Sequence, residues 1–379
     1  MLYFKRLAAA AILPVALSLG VAASATAEDG MLPKTLTWTT YDVGSSGYVE
    51  ASAIADALIK EYGVRIRLMP SSSGIGRLLP LKTGRVQFAF LGSEANFSSE
   101  ALYEFSGREW GPQDLRVLMG RPATAGVVSA TDANIRTAED LRGKRVAYVE
   151  ANPSANIKTE AVLAFAGMTW DDVDRINMPS YGSSLLGLSD GTVQAAVSVP
   201  TAAALRELEA GRGATWIELP AEDTEGWARI QESISFLKPA EETIGAGISE
   251  DAPVQLMGYR YPIVATYADT DDDLVYAMIK AVDETYGIYK GMNAIMPSWQ
   301  ISESGKTPSD APFHPGAIKY LKEINVWTEE DEAWNQGRLK RSENLRAAWD
   351  EANEKALDEG VSDKEWPAYW EAYKAEALK

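Results

Sequence analysis

Apolar and polar positions alternate along this chain with two periods. Residues 35–41 read as a strand. In residues 48–62, Ala51, Ile54, Ala55, Leu58 and Ile59 fall on one helix face. Residues 64–69 read as a second strand, 75–83 as a short helix stopped by Gly84, 86–91 as a buried strand and 94–105 as a helix. This βαβαβα order predicts a parallel sheet covered by helices.

Two extended segments follow, 115–119 and 126–130. Around Thr137 to Val149 a short helix is expected, capped by Thr137 with Asp140 at the capping-box position and stopped by Gly143. A second α/β series then runs through strands at 146–149, 173–178, 193–199 and 215–219. Helices are expected at 154–166, 183–189 and 202–210. Residues 254–267 read as extended chain returning from this series, and 274–289 as a helix. From about Asn325 the chain is charged, helical and rich in Trp, with Trp366/Trp370 and Tyr369/Tyr373 at i,i+4 spacing. The expectation there is an aromatic stripe that packs helices back on the body.

The first residues have a different pattern. Lys5 and Arg6 precede an apolar run over 7–23, and Ala25-Thr26-Ala27 has the form of a cleavage site. The predicted organisation is a cleaved export signal over 1–27 and a first lobe from 28–121 and 254–324. A second lobe spans 122–253, and a helical extension over 325–379 packs on the first lobe. No later segment is apolar enough to span a bilayer, so a periplasmic protein that is not membrane-inserted is expected.

Composition narrows the chemistry. The 379 residues include no Cys and one His. That excludes a disulfide framework, thiolate chemistry, a lipid-modified Cys and a multi-His metal site, and leaves few routes to a hydrolase. The formal charge of −18 argues against nucleic acid as a partner. Asp269, Asp271 and Asp273 have the spacing of a calcium loop, but Leu274 and Lys280 stand where Gly and Glu are required. These acids are better suited to capping the next helix. Gly74-x-Gly76 lacks the third Gly of a dinucleotide fingerprint, and His314 before Pro315-Gly316 suits a helix cap. No cofactor, metal or catalytic group is expected.

What remains is a set of small polar residues placed just after strands. In an open α/β sheet such loops gather at the carboxyl ends of the strands, where helix N–H groups and hydroxyls can face an anion. The candidate contacts are Tyr41, Ser45, Ser46, Ser72, Ser73 and Asn96 from the first lobe. Ser154, Asn156, Tyr181 and Thr201 come from the second. Arg121 at the crossover is the first candidate cation for a carboxylate and Lys158 the second. A hinge ion pair is the other reading of Arg121.

Several stretches carry a resemblance. They are Gly44-Ser45-Ser46-Gly47-Tyr48, Pro70-Ser71-Ser72-Ser73-Gly74 and Leu78 through Phe90. Leu141-Arg142-Gly143-Lys144-Arg145-Val146, Asp190 through Ala195 and His314-Pro315-Gly316-Ala317 complete the set. In these the chain resembles the TAXI family of TRAP-transporter solute-binding proteins, with the type II periplasmic-binding-protein fold. The resemblance implies two α/β lobes, a small organic carboxylate such as a glutamate-like amino acid or a dicarboxylate, and hinge closure. It also implies delivery to a TRAP-type membrane permease without ATP. A monomer is expected. A receptor for an ABC importer or for a periplasmic signalling protein is the alternative.

Overall fold

The computed structural model describes residues 32–378, apart from Asp42, Gly44, Ser72, Ala151, Ala203 and Ser235. The export signal and Ser72 therefore lie outside the described residues. The first α/β run comprises β1 (Thr35–Thr40), α1 (Ser46–Tyr62), β2 (Arg65–Pro70), α2 (Gly74–Lys82), β3 (Phe88–Leu91) and α3 (Glu94–Ser99). The crossover strand β4 (Leu115–Ala130) leads to β5 (Arg145–Val149), α4 (Pro153–Phe165), β6 (Asp174–Met178), α5 (Tyr181–Asp190) and β7 (Ala195–Ser198). Next come α6 (Ala204–Arg212), β8 (Ala214–Trp216), α7 (Thr224–Ser233), β9 (Lys238–Glu242) and the returning strand β10 (Val254–Tyr267). The remainder is helical: α8 (Asp272–Glu284), α9 (Tyr286–Tyr289), α10 (Ile301–Ser304), α11 (Pro315–Glu323), α12 (Glu329–Glu359) and α13 (Trp366–Ala377).

The sheet runs β2-β1-β3-β10-β4-β7-β5-β6, with β8 on β4 and β9 on β10. Strands β1, β2 and β3 are parallel, as are β5, β6 and β7, and β10 runs antiparallel to both β3 and β4. The mixed α/β class expected from the alternation, with its helical tail, is the class observed. The two parallel runs are joined through the long strands β4 and β10. Leu36, Trp38, Phe88 and Phe90 are fully buried in the first run, under Ile54 and Leu58 of α1.

Some elements differ from the sequence reading. The two extended segments over 115–130 are one strand, because β10 is long enough to pair along both. Pro122 has no N–H to donate, and it sits opposite Arg260 where the ladder shifts register. The helix expected over 94–105 ends at Ser99, since Ala101 and Tyr103 have left-handed backbones. The turn presents the Ala101 carbonyl to Trp370 Nε1 at 3.1 Å. The short helix after Thr137 is a 3-10 turn over Glu139–Leu141, with Asp140 Oδ2 accepting from the Thr137 and Arg136 amides. The strand expected over 215–219 is confined to β8, and α7 and β9 are two elements the sequence reading did not predict.

The tail packs as an aromatic stripe. Trp349 lies edge-on to Trp366 and Trp370, both at 4.8 Å between ring centroids. Trp366 Nε1 donates to the Ser106 carbonyl at 2.9 Å, and Arg341 forks onto Glu100.

Candidate functional site

The loops after the parallel strands open helices, and their polar residues divide into caps and contacts. Ser45 Oγ accepts from the Tyr48 amide and Ser73 Oγ from the Gly76 amide. Asn152 and Ser180 cap α4 and α5 in the same way. Each supplies one acceptor for the orphan N–H groups of a first turn. Asn156 is buried, and its amide donates to Val149 O and accepts from Val149 N, which pins the β5–α4 turn. Asp271 caps α8 and His314 Nδ1 caps α11, so both candidate capping residues do that.

Tyr41 leaves β1 and enters a buried network. Its hydroxyl donates to Glu94 Oε1 at 3.1 Å, and Arg77 Nε donates to the same oxygen at 2.8 Å. The Arg77 guanidinium also lies 3.9 Å over the Tyr41 ring. This packing requires missing side chains. A Cβ on Gly47 would lie 2.5 Å from the Tyr41 ring, and one on Gly92 would lie 2.6 Å from its hydroxyl. Glycine is the residue that allows such close approach.

Tyr261 sits edge-on to Tyr41 at 5.4 Å, near-parallel to Tyr259 at 6.0 Å, and hydrogen-bonded to Ser46. Burial pushes its hydroxyl up to about 12, with Glu50 and Glu94 adding to the rise. Lys158 of α4 reaches this aromatic group from the second run. Its ammonium donates to Ser154 Oγ at 2.8 Å and to Ser93 Oγ at 2.9 Å, and stands 4.7 Å over the Tyr259 ring. Ser93 makes no side-chain cap to α3, so its hydroxyl is turned to Lys158 instead. Burial pulls Lys158 down to about 8, against Asp310 and Glu94, which favour its charged form. Tyr181 OH lies 2.7 Å from Ser198 Oγ and accepts from the Val199 amide, fixing the end of β7.

Arg121 is buried in β4 and forks onto Glu50 of α1, with Nε–Oε2 at 2.6 Å and Nη2–Oε1 at 3.0 Å. Glu50 Oε2 also accepts from Trp299 Nε1 at 2.7 Å. Arg121 Nη1 donates to Pro122 O, so three of the five N–H groups of a guanidinium are engaged. A cavity of about 130 Å³ lies beside this pair. Its walls include Ser46, Arg121, Thr124, Thr201, Glu242 and Tyr261. It therefore collects residues from the start of α1, the crossover strand, the loop after β7 and the end of β9.

The predicted contacts fall into three groups. Ser46, Arg121 and Thr201 share this cavity, and Tyr41 joins it through Tyr261. Ser154 and Lys158 meet Ser93 beneath Tyr259. Ser45, Ser73 and Asn156 hold local backbone, Tyr181 holds β7, and Asn96 lines a different cavity. Sequence reasoning did not single out Glu50, Ser93, Tyr259 or Tyr261. Tyr259 and Tyr261 stand two apart in an extended run, and that period was the available signal. Among the described residues, no group of three metal-ligating side chains could hold a metal ion. No helix among them is long and apolar enough to cross a membrane.

A family model described as NMT1-like matches residues 39–324, most of this α/β body. The chain belongs to the NMT1-like family. This NMT1-like chain is similar to the periplasmic aliphatic sulphonate binding protein SsuA from Escherichia coli, at 16% identity and a TM-score of 0.48. The match covers 83% of this chain and 88% of that one. It is also similar to the MOPS-bound alkanesulfonate-binding protein SsuA from Xanthomonas axonopodis pv. citri, at 17% identity and a TM-score of 0.43. There the shares are 81% and 85%.

Proposed function

We propose that this chain is an extracytoplasmic solute receptor of a TRAP transporter. In this reading it has no enzymatic role and binds a small organic carboxylate between two lobes. Residues 28–121 with 254–324 form one lobe and 122–253 the other. The observation that carries the reading is the shared cavity of Ser46, Arg121, Thr201 and Tyr261, flanked by Lys158 reaching across to Ser93. The strand order, with an antiparallel returning strand between two parallel runs, fits the type II arrangement.

Glu50 holds the Arg121 fork rigid, and the two remaining N–H groups are available to a carboxylate in the cavity. The Ser46 and Thr201 hydroxyls add neutral donors from opposite lobes. Lobe closure removes water, and lower local polarity strengthens each of these bonds. Lys158 acts as the latch, because its ammonium is held by hydroxyls of both lobes. The closed form then docks on the membrane permease.

Native mass spectrometry of the protein as purified tests this first. A thermal-shift screen follows, on protein unfolded and refolded, with glutamate, succinate, 2-oxoglutarate and an alkanesulfonate. A carboxylate present at 100 times its dissociation constant stabilises by about 2.7 kcal/mol. No shift with any carboxylate, or a shift with the sulfonate alone, refutes the carboxylate assignment. A gene for a TRAP permease beside this one supports the partner. A neighbouring transport ATPase or histidine kinase points to the alternatives.

A further inference from the structure

A second cavity, of about 330 Å³, lies between the α/β body and the long helix α12, which itself follows the end of the family match at residue 324. Its walls include Asn96 of α3, Phe236 before β9, Ser309, and Trp334, Gly337 and Arg338 of α12. The three α12 residues are spaced to share one helix face. We propose that this cavity is a binding site for a small monocarboxylate with an apolar body, separate from the cavity beside Arg121.

Three observations converge on that chemistry. The first is unmet hydrogen bonding. Ser309 is 3% exposed, and its hydroxyl has no partner; the buried Arg338 Nε–H has none either. Buried polar atoms are normally paired, so these two await an acceptor. Arg338 is held in place through Nη2, which donates to Glu100 at 3.2 Å.

The second is charge. Glu100 is shared by Arg338 and Arg341, so one carboxylate faces two guanidinium groups. Asp310 follows Ser309 and is fully buried with both carboxylate oxygens unpartnered. Burial pushes its carboxyl up to about 7, with Lys158 and Arg338 opposing the rise. Arg338 and Arg341 thus set two positive charges against the one carboxylate of Glu100, while burial favours the neutral form of Asp310, so this wall favours an anionic acceptor.

The third is shape. Trp334 and Phe236 supply apolar wall, and the volume is at the lower end for small-molecule pockets. Gly337 stands inside a 31-residue helix, where glycine is a poor helix former. A Cβ there would meet nothing within 4 Å, so packing does not call for glycine. The open space it leaves belongs to the mouth of the cavity.

The test is a titration of the refolded full chain with phenylacetate, followed by tryptophan emission, since Trp334 is in the wall. Phenylacetamide and acetate are the controls. The expected result is saturable binding of phenylacetate, with both controls at least tenfold weaker. Gly337→Leu, which fills the mouth, and Ser309→Ala should each weaken phenylacetate at least tenfold, while Lys158→Met leaves it unchanged. Gly337→Leu should melt no lower than the wild type and keep the thermal shift given by any ligand of the first cavity. The proposal is overturned if phenylacetate does not bind saturably, or if Gly337→Leu binds it as the wild type does. It is equally overturned if Lys158→Met abolishes the binding. None of these results touches the carboxylate reading of the first cavity, which rests on its own ligand screen.

Discussion

Removing the Glu50 carboxylate tests a buried ion pair at the wall of the first cavity. Glu50 is fully buried and accepts three hydrogen bonds, two from Arg121 and one from Trp299. In Glu50→Ala the Arg121 guanidinium stays buried without its counter-ion, which costs about 3–5 kcal/mol. The Trp299 indole N–H also loses its acceptor, for about 1–3 kcal/mol more. The two losses share one relaxing space and do not add fully, so the expected destabilisation is about 4–6 kcal/mol. Urea unfolding followed by tryptophan emission measures it. Glu50→Gln, which keeps the shape and some of the bonds, should lose less. The double change Glu50→Met with Arg121→Met should recover much of the loss, because a buried ion pair is often replaceable by apolar side chains. A Glu50→Ala protein within about 1 kcal/mol of wild type, at an unchanged denaturant slope, would show that the pair is solvated and refute the argument. The same variant should lose carboxylate affinity, since the fork at the cavity wall loses its anchor.

Two further outcomes follow from the packing. Asp310 is raised from 3.8 to about 7 and Lys158 lowered from 10.5 to about 8. From about pH 4 to 7 the folded state holds a proton the unfolded chain has released, so stability falls as pH rises; from about pH 8 to 10.5 the reverse holds and stability rises. Asp310→Asn should remove the first slope and Lys158→Met the second, both read from melting temperature against pH. Trp366→Ala should cost about 3–5 kcal/mol of tail docking by opening a cavity beside Trp349 and freeing the Ser106 carbonyl. Faster hydrogen exchange confined to α13 and the end of α12 would be the readout, and unchanged exchange would contradict it.

The strands and helices of the α/β body were readable because their period is local. The boundaries that moved did so for non-local reasons. Residues 115–130 became one strand because β10 runs beside both parts. The helix from Glu94 stopped early where Ala101 turns its carbonyl to a Trp 269 residues away. Among the candidate contacts, hydroxyls three residues before the amides that donate to them, such as Ser45 and Ser73, do the capping their loop position allows. Tyr259 and Tyr261 escaped notice because an alternating aromatic pair in a strand is usually core.

The sequence by itself therefore determined the alternation of elements and the caps that start the helices, both set by contacts within a turn or two of chain. It also limited the chemistry, through zero Cys and a single His. Tertiary structure alone decided which polar residues meet. Arg121 finds Glu50 from 71 residues away, Lys158 finds Ser93 from 65, and Trp299 finds Glu50 from 249. Such pairs depend on strand order and on which loops share an edge of the sheet. A spacing along the chain carries no information about either, so a residue type can mark a candidate contact but only the fold can give it a partner.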